Sequence, residues 1–412
     1  MYKKNSISLA AVALLLFSNF CFSMNMVRPY EFLFQAERKP DYKMQVTTLG
    51  EFSFGHAKGY DENGCDVNIL RIYNPDQNAL KMLDGFDDTT AIGQKRIQVN
   101  ANDDGKRGHY LVCGDLSMQG LSFSGRWALP KHFSVRAHIP FYFAKLKSVS
   151  WMNQTEDITV DDARVRNYLT DDFFANVCTL GKGLDLGCWS RSGAGDLTIL
   201  LEWLQNFRQT KPFLKNVRVR AYAGWTTPTG KWADEDKIFA FPFGSDGSFG
   251  FLFGAGLDLT FRTYLRAGLD VQLLHLGGKS KCRRIKTNEN QTELLLLEKV
   301  NAFREYGFSQ QFTLYAQGCN FLGGLAATVG YQFFKHGDDY LTLRDLKYSE
   351  KVANTAKSLE EWTMHNFIFK LSYDFSNDYR VHPYLAAFVK VPFNGIFSAQ
   401  VKSLGFILGV DF

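Results

Sequence analysis

From Phe249 to Phe261 the chain reads Phe-Gly-Phe-Leu-Phe-Gly-Ala-Gly-Leu-Asp-Leu-Thr-Phe, with an apolar residue at every odd position. A period of two means a strand with two unlike faces. The run covers 13 residues, whereas strands of soluble domains usually have about 5–6. A tilted strand that crosses a bilayer needs roughly 9–11. The alternation recurs at Phe133, Val135, Ala137, Ile139, Phe141 and Phe143, with Ser134, Arg136, His138, Pro140 and Tyr142 between them. It recurs at Val217, Val219, Ala221, Ala223 and Trp225 around Arg218, Arg220 and Tyr222, and at Phe367, Phe369, Leu371, Tyr373 and Phe375 around Lys370, Ser372 and Asp374. Two dry faces would leave these charges buried and unpaired. Lipid on one face and a polar lumen on the other removes the conflict.

Applied along the chain, the pattern predicts strands at 44–57, 110–128, 133–150, 195–207, 216–229, 248–263, 264–277, 306–319, 322–335, 363–376, 380–392 and 396–412. Near Gly120 the second strand changes phase, which implies a bulge or an extension above the membrane. The connections alternate in length. Short ones fall at Leu129–His132, Arg208–Lys215, Thr263, Cys319–Phe321 and Asn377–Tyr379; long ones at Lys58–His109, Trp151–Ala194, Gly230–Gly247, Gly278–Glu305 and His336–Trp362. Asn394-Gly395 reads as a tight type I′ turn on the long-loop side. Short periplasmic turns and long extracellular loops are the asymmetry of an outer-membrane barrel. The expected fold is therefore all-β: a transmembrane antiparallel up-and-down β-barrel of about 12 strands. Trp127, Phe133, Trp203, Phe207, Phe261, Tyr264, Phe375 and Phe412 mark one aromatic girdle, and Trp151, Trp225, Tyr331 and Phe333 the other.

Composition agrees. The chain has 37 Phe, 18 Tyr and 35 Gly, which suits many alternating strands better than a Leu-rich soluble core. Lys3 and Lys4, the apolar run Leu9–Phe17 and the small residues Ser18–Ser23 read as a secretory signal over 1–23. A lipidated Cys21 is disfavoured because Phe20 stands where a small residue is expected. Segment 24–43 then forms either a periplasmic tail or a plug, and 44–412 the barrel. The net charge of +5 calls for no nucleic acid. Export permits disulfides among Cys65, Cys113, Cys178, Cys188, Cys282 and Cys319. Cys178 with Cys188 and Cys65 with Cys113 are the pairs suggested by position, while Cys282 and Cys319 lie at opposite ends of the strand map.

Leu404, Phe406, Leu408, Val410 and Phe412 alternate outward to a final Phe, an ending that resembles those of substrates of the outer-membrane barrel assembly machinery. Gly195-Asp196-Leu197-Thr198 opens one strand, Thr227-Pro228-Thr229-Gly230 ends the next, and a glycine-rich hairpin follows from Phe249 to Leu276. This order resembles the outer-membrane barrels called meta-pathway phenol-degradation-like, and covers about 195–276. The resemblance implies transport of small, often aromatic, compounds, and carries over no binding residue.

The inward face is expected to include Glu51, Arg136, His138, Tyr142, Glu202, Arg218, Arg220, Asp258, Arg262, Arg266, Asp270 and Lys370. Of these, Arg136, His138, Glu202, Arg218, Arg220, Asp258, Arg266 and Asp270 are the candidate lumen or constriction residues. Acid and base around one wall either screen permeants or fill a small barrel with paired ions. Thr292–Phe303 and Leu343–Trp362 carry helical spacing. Asp84-Gly85-Phe86-Asp87-Asp88 lacks the spacing of a calcium loop. His132 and Ser134 have no assignable third group for a hydrolase. The reading is a non-enzymatic channel for passive uptake of small solutes, without cofactor or metal, surrounded by outer-membrane lipid and lipopolysaccharide. A structural or adhesive surface barrel is the alternative.

Overall fold

The computed structural model describes residues 28, 30–37, 42–262, 264–321, 323–375 and 382–412. Twelve antiparallel strands close into a ring: β1 Met44–Ser53, β2 His109–Ala128, β3 Phe133–Asn153, β4 Leu197–Arg208, β5 Leu214–Thr227, β6 Gly250–Phe261, β7 Leu265–Leu276, β8 Ser309–Phe321, β9 Leu325–His336, β10 Trp362–Asp374, β11 His382–Ile396 and β12 Ser403–Asp411. Each strand pairs with its sequence neighbours. The ring closes where Gln45 of β1 faces Asp411 of β12 on one side and Arg126 of β2 on the other. The expected signal segment, Thr263 and the Asn377–Tyr379 turn lie outside the described residues.

The alternation places side chains as the pattern requires. Phe141, Phe251, Leu257, Val329, Phe369 and Leu404 are exposed around the outside, while Ser134, Arg136, His138, Asp258 and Lys390 are buried inside. An exposed apolar belt around a closed barrel is stable only in lipid. Leu257→Arg should therefore cost about 2–4 kcal/mol near the bilayer midplane. Urea unfolding in lipid vesicles checks this, and an unchanged midpoint would remove Leu257 from the belt.

The last strand differs from expectation. Asn394 and Gly395 make no turn: they pair inside β11 with His365 and Met364, beyond a bulge at Phe393. The chain turns later, and Ser398–Gln400 leaves the wall to pair with Lys58–Tyr60. In β2 the register shift lies between Cys113 and Asp115, not at Gly120. A Cβ at Gly114 would stand 2.7 Å from Leu70 of the first long loop, so the upper part of β2 is covered by chain rather than lipid.

The long loops fold together. Leu70, Met82 and Phe86 of the first, Val165, Phe173 and Val177 of the second, Ile238 and Phe243 of the third, and Leu295 and Leu297 of the fourth share one buried cluster with Phe397 and Val401. Residues of the fourth and fifth loops form a three-stranded sheet of Lys279–Ile285, Glu298–Glu305 and Tyr340–Leu343. Thr292–Phe303 is thus a short 3-10 turn, Glu293–Leu295, followed by strand from Glu298. Helical spacing there marked a half-buried loop instead. The Leu343–Trp362 segment keeps a helical turn at Glu350–Ala353. Trp151 belongs to this cap, where its indole N–H donates to the Leu186 carbonyl at 3.1 Å, and not to a girdle. All six described cysteines are free thiols, so neither suggested disulfide forms. Asp87 and Asp88 of the acidic run pair with Lys347 and Arg96.

Candidate functional site

Inside the wall Glu51 is paired with Lys390 at 3.6 Å, and most of the other charged candidates form three groups. The central one is built on two glycines. Arg220, Gly256 and Asp270 lie on one rung of β5, β6 and β7, and Asp258, Gly268 and Tyr315 on another rung of β6, β7 and β8. A Cβ at Gly256 would lie 2.3 Å from Arg220 Nη2, and one at Gly268 would lie 2.5 Å from Asp258 Oδ1. The missing side chains let residues two strands apart meet. Arg220 Nη1 donates to Asp258 at 3.1 Å, and Nη2 donates to Asp270 at 3.3 Å. Tyr315 and Tyr222 donate their hydroxyls to Asp258 and Asp270 at 2.5 and 2.8 Å.

The second group centres on Glu202, which faces Arg136 at 3.1 Å and Arg126 at 3.3 Å. Ser134 donates its hydroxyl to the same carboxylate at 3.2 Å. Ser134 is fully buried on the inward side, which removes it from the lipid surface where a lipid hydrolase would need it. Glu202 therefore does not join Arg220 and Asp258: its rung partner on β5 is Tyr222, two residues from Arg220, and Asp258 shares its rung with Arg218. Arg126 and Arg136, opposite one another on β2 and β3, hold it instead. His138 stands apart, edge-on to Tyr30 with 6.3 Å between ring centroids. Arg262 is exposed in the turn after β6 and donates to the Tyr264 hydroxyl; it is not inward-facing.

The third group joins Arg218 and Arg266, and its acid comes from outside the barrel strands. Glu37 accepts from Arg218 at 2.6 Å and from Arg266 at 3.1 Å. Residues Tyr30–Glu37 lie within the ring. The Phe32 ring covers the Arg220 guanidinium at 3.2 Å, and Phe34 packs on Phe388 at 4.5 Å. Lys370 donates to the Leu33 carbonyl at 2.6 Å, and Gln332 donates to Glu31 at 2.8 Å. Cation–π contact and charge-assisted hydrogen bonds fix the segment at several heights. Tyr30, Phe32, Leu33 and Phe34, interrupted by Glu31, were its signal in the sequence.

This segment divides the interior. Below it is a cavity of about 230 Å³ beside Arg126, Glu202, Arg218 and Arg266. Above it, under the loop cap, is a chamber of about 540 Å³. Tyr30 lines both. The chamber's wall includes Asp196, whose carboxylate accepts the Gly230 N–H at 2.8 Å and the Ser245 N–H at 2.5 Å. Leu197 N–H donates to Thr229 Oγ1 at 2.8 Å. The two short elements that carried the family resemblance thus bind each other and pin the third loop.

Asp339, in the fifth loop, also lines the chamber. Burial pushes its carboxyl up, but the His336 hydrogen bond, the Arg304 charge and the Gly307 N–H outweigh this and hold it below the ordinary 3.8. A depressed folded value contributes stability above pH 3.8 that is lost as pH falls through the folded value. Amide exchange in the loop sheet, corrected for intrinsic rates, should therefore accelerate at pH 3 relative to pH 7. Asp339→Asn should exchange quickly at both; an acid effect that persists in the variant would assign it elsewhere.

A closed twelve-stranded ring with a lipid-exposed belt, a charged interior and all long loops at one end defines a transmembrane β-barrel of the bacterial outer membrane. Its structure is similar to that of an outer membrane channel from Pseudomonas putida F1, at 12% identity and a TM-score of 0.52, over 94% of this chain and 100% of that one. Lower scores relate it to the NanC porin (8% identity, TM-score 0.32, 73% of this chain and 97% of that one) and to a Pseudomonas aeruginosa FadL homologue (9%, 0.28, 90% and 89%). No family model and no curated protein matches the sequence.

Proposed function

We propose that the chain is an outer-membrane channel for passive uptake of small aromatic or hydrophobic solutes, closed in this conformation by residues 30–37. One observation carries the reading: two internal cavities lie in line along the barrel, and a single segment separates them. A barrel merely filled by its own side chains has no need of an added plug. The inward residues Arg136, His138, Glu202, Arg218, Arg220, Asp258, Arg266 and Asp270 would then line the path below and beside the plug. The resemblance to phenol-degradation-like barrels and the fold shared with the Pseudomonas putida channel support the same reading. A second reading, a structural or adhesive surface barrel, is favoured by the loop cap, which has a hydrophobic core of its own. Flux of phenol-sized solutes into proteoliposomes separates the two. Entry faster than into protein-free vesicles, with or without residues 24–37, supports the channel, and entry no faster than into protein-free vesicles for both forms supports the surface barrel.

A further inference from the structure

We infer that the chamber beneath the cap is a binding site for small aromatic acids, with Arg28 as the group that holds the carboxylate. This rests on the channel reading for its biological sense, though not for its chemistry. The chamber holds about 540 Å³, within the range of small-molecule sites, which are mostly apolar with a few convergent polar groups. Phe239, Phe241, Phe243, Tyr142, Tyr306 and Trp362 contribute aromatic surface, against which a flat ring stacks or meets an edge.

The charge balance sets the polar end of the ligand. Four arginines line the chamber: Arg28, Arg283, Arg284 and Arg304. Three already hold a carboxylate, Arg283 that of Asp246, Arg284 that of Asp236 and Arg304 that of Asp339. Among the described residues no carboxylate lies within 4 Å of the Arg28 guanidinium. It rests on the Phe334 ring at 4.5 Å, and Phe334 in turn stacks on Trp362 at 4.7 Å. The nearby Glu31 is engaged by the Arg28 backbone N–H and by Gln332. The chamber's buried acids are likewise committed, Asp246 to Arg283 and Lys281 and Asp196 to two backbone N–H groups, and Glu235 is held by Lys281; Glu360 lines the chamber from an exposed position and has no ion pair among the described residues. Among the described residues Arg28 is thus the one chamber arginine with no carboxylate in contact, Glu31 acting on it only from beyond 4 Å, and it is positioned on an aromatic stack, out of ion-pair contact with the exposed Glu360. A planar guanidinium binds a carboxylate through paired charge-assisted hydrogen bonds.

Arg28 also precedes the plug directly. Its carbonyl accepts the Glu31 N–H at 2.9 Å, so a ligand held by Arg28 is coupled to the segment that separates the two cavities.

Isothermal titration of the purified full-length barrel in detergent at pH 7 tests this with two probes of one shape, benzoate and benzamide. Benzoate should bind at least about tenfold more tightly, the scale of one charge-assisted contact. Arg28→Gln should bring the ratio to about one while benzamide affinity stays unchanged. Phe243→Ala should weaken both probes together. Heat-modifiable migration on gels shows that each variant is folded. Equal binding of the two probes, no binding of either, or a benzoate preference that survives Arg28→Gln would overturn the proposal. Solute flux is read separately: benzoate that binds by this pattern but never crosses the membrane would defeat the channel reading and leave the site standing.

Discussion

Deletion of residues 24–37 should change planar-bilayer recordings from no resolvable steps to discrete openings that pass anions in preference to cations. The deletion removes the partition lined on both faces by Tyr30 and joins the two cavities. It also removes Glu31 and Glu37 from the interior. Arg218 and Arg266 then lose their shared carboxylate, and Arg220 loses its aromatic cover. A ring of cations left at a narrow point selects for anions. The reversal potential in a salt gradient reads this directly. A silent deletion variant would mean that the wall and cap close the barrel without the segment, and a cation-selective one would mean that Glu202, Asp258 and Asp270 control the path instead. Glu37→Gln is the gentler counterpart. It keeps the segment's length and apolar contacts, so it should give brief openings rather than sustained ones.

Asp258→Ala should be the most destabilising single change inside the wall. Asp258 is fully buried and accepts from both Arg220 and Tyr315. Removing one partner of a buried ion pair leaves an uncompensated charge and costs about 3–5 kcal/mol. Asp270 still holds Arg220, which places the expected loss at about 3 kcal/mol, the lower end of that range. Tyr315→Phe deletes one hydrogen bond to a carboxylate that keeps Arg220, and should cost about 1.5–2 kcal/mol, the lower part of the range for charged partners. Asp87→Ala, in an exposed loop pair, should cost about 0–1 kcal/mol. Unfolding by urea in lipid vesicles ranks the three. If Asp258→Ala unfolds like Asp87→Ala, water reaches the centre of the wall and the network is not a dry one.

All twelve wall strands were legible because lipid on one side and polar groups on the other impose a strict period of two over many residues. Phe249–Phe261 is the clearest case, and its observed strand, Gly250–Phe261, differs only at one end. Loops offered no such constraint. Thr292–Phe303 carried a helical spacing yet pairs as strand from Glu298 onward, since its apolar residues face a cap whose other parts come from distant loops. Asn394-Gly395 had the composition of a turn, but pairing with β10 continues past it.

The interior was legible by face and less so by partner. Every candidate except Arg262 points inward, but which acid meets which base depends on register and on glycines that remove intervening side chains. Arg220 meets Asp270 across Gly256, a relation that only the alignment of three strands reveals. Glu37 was out of reach for a different reason: it arrives from outside the repeating pattern. The aromatic cap chamber was not legible, because Phe239, Phe241 and Phe243 alternate as in a strand yet belong to a loop with no strand of its own, and the chamber they line is completed by other loops.

The lumen segment also bears on the order of assembly. Leu33 and Phe34 share a buried cluster with Leu49 of β1, Phe388 of β11 and Ile407 of β12. These are the strands on both sides of the seam where the first and last parts of the chain join, and the N–H groups of Lys43 and Met44 reach the Phe412 carbonyl there. Only residues 35–42 separate Phe34 from that seam, too few to let the segment roam once β12 has docked. Sealing the ring and seating the segment are therefore neighbouring events in space, and the segment acts as an internal clasp laid across the joint between the first and last wall strands.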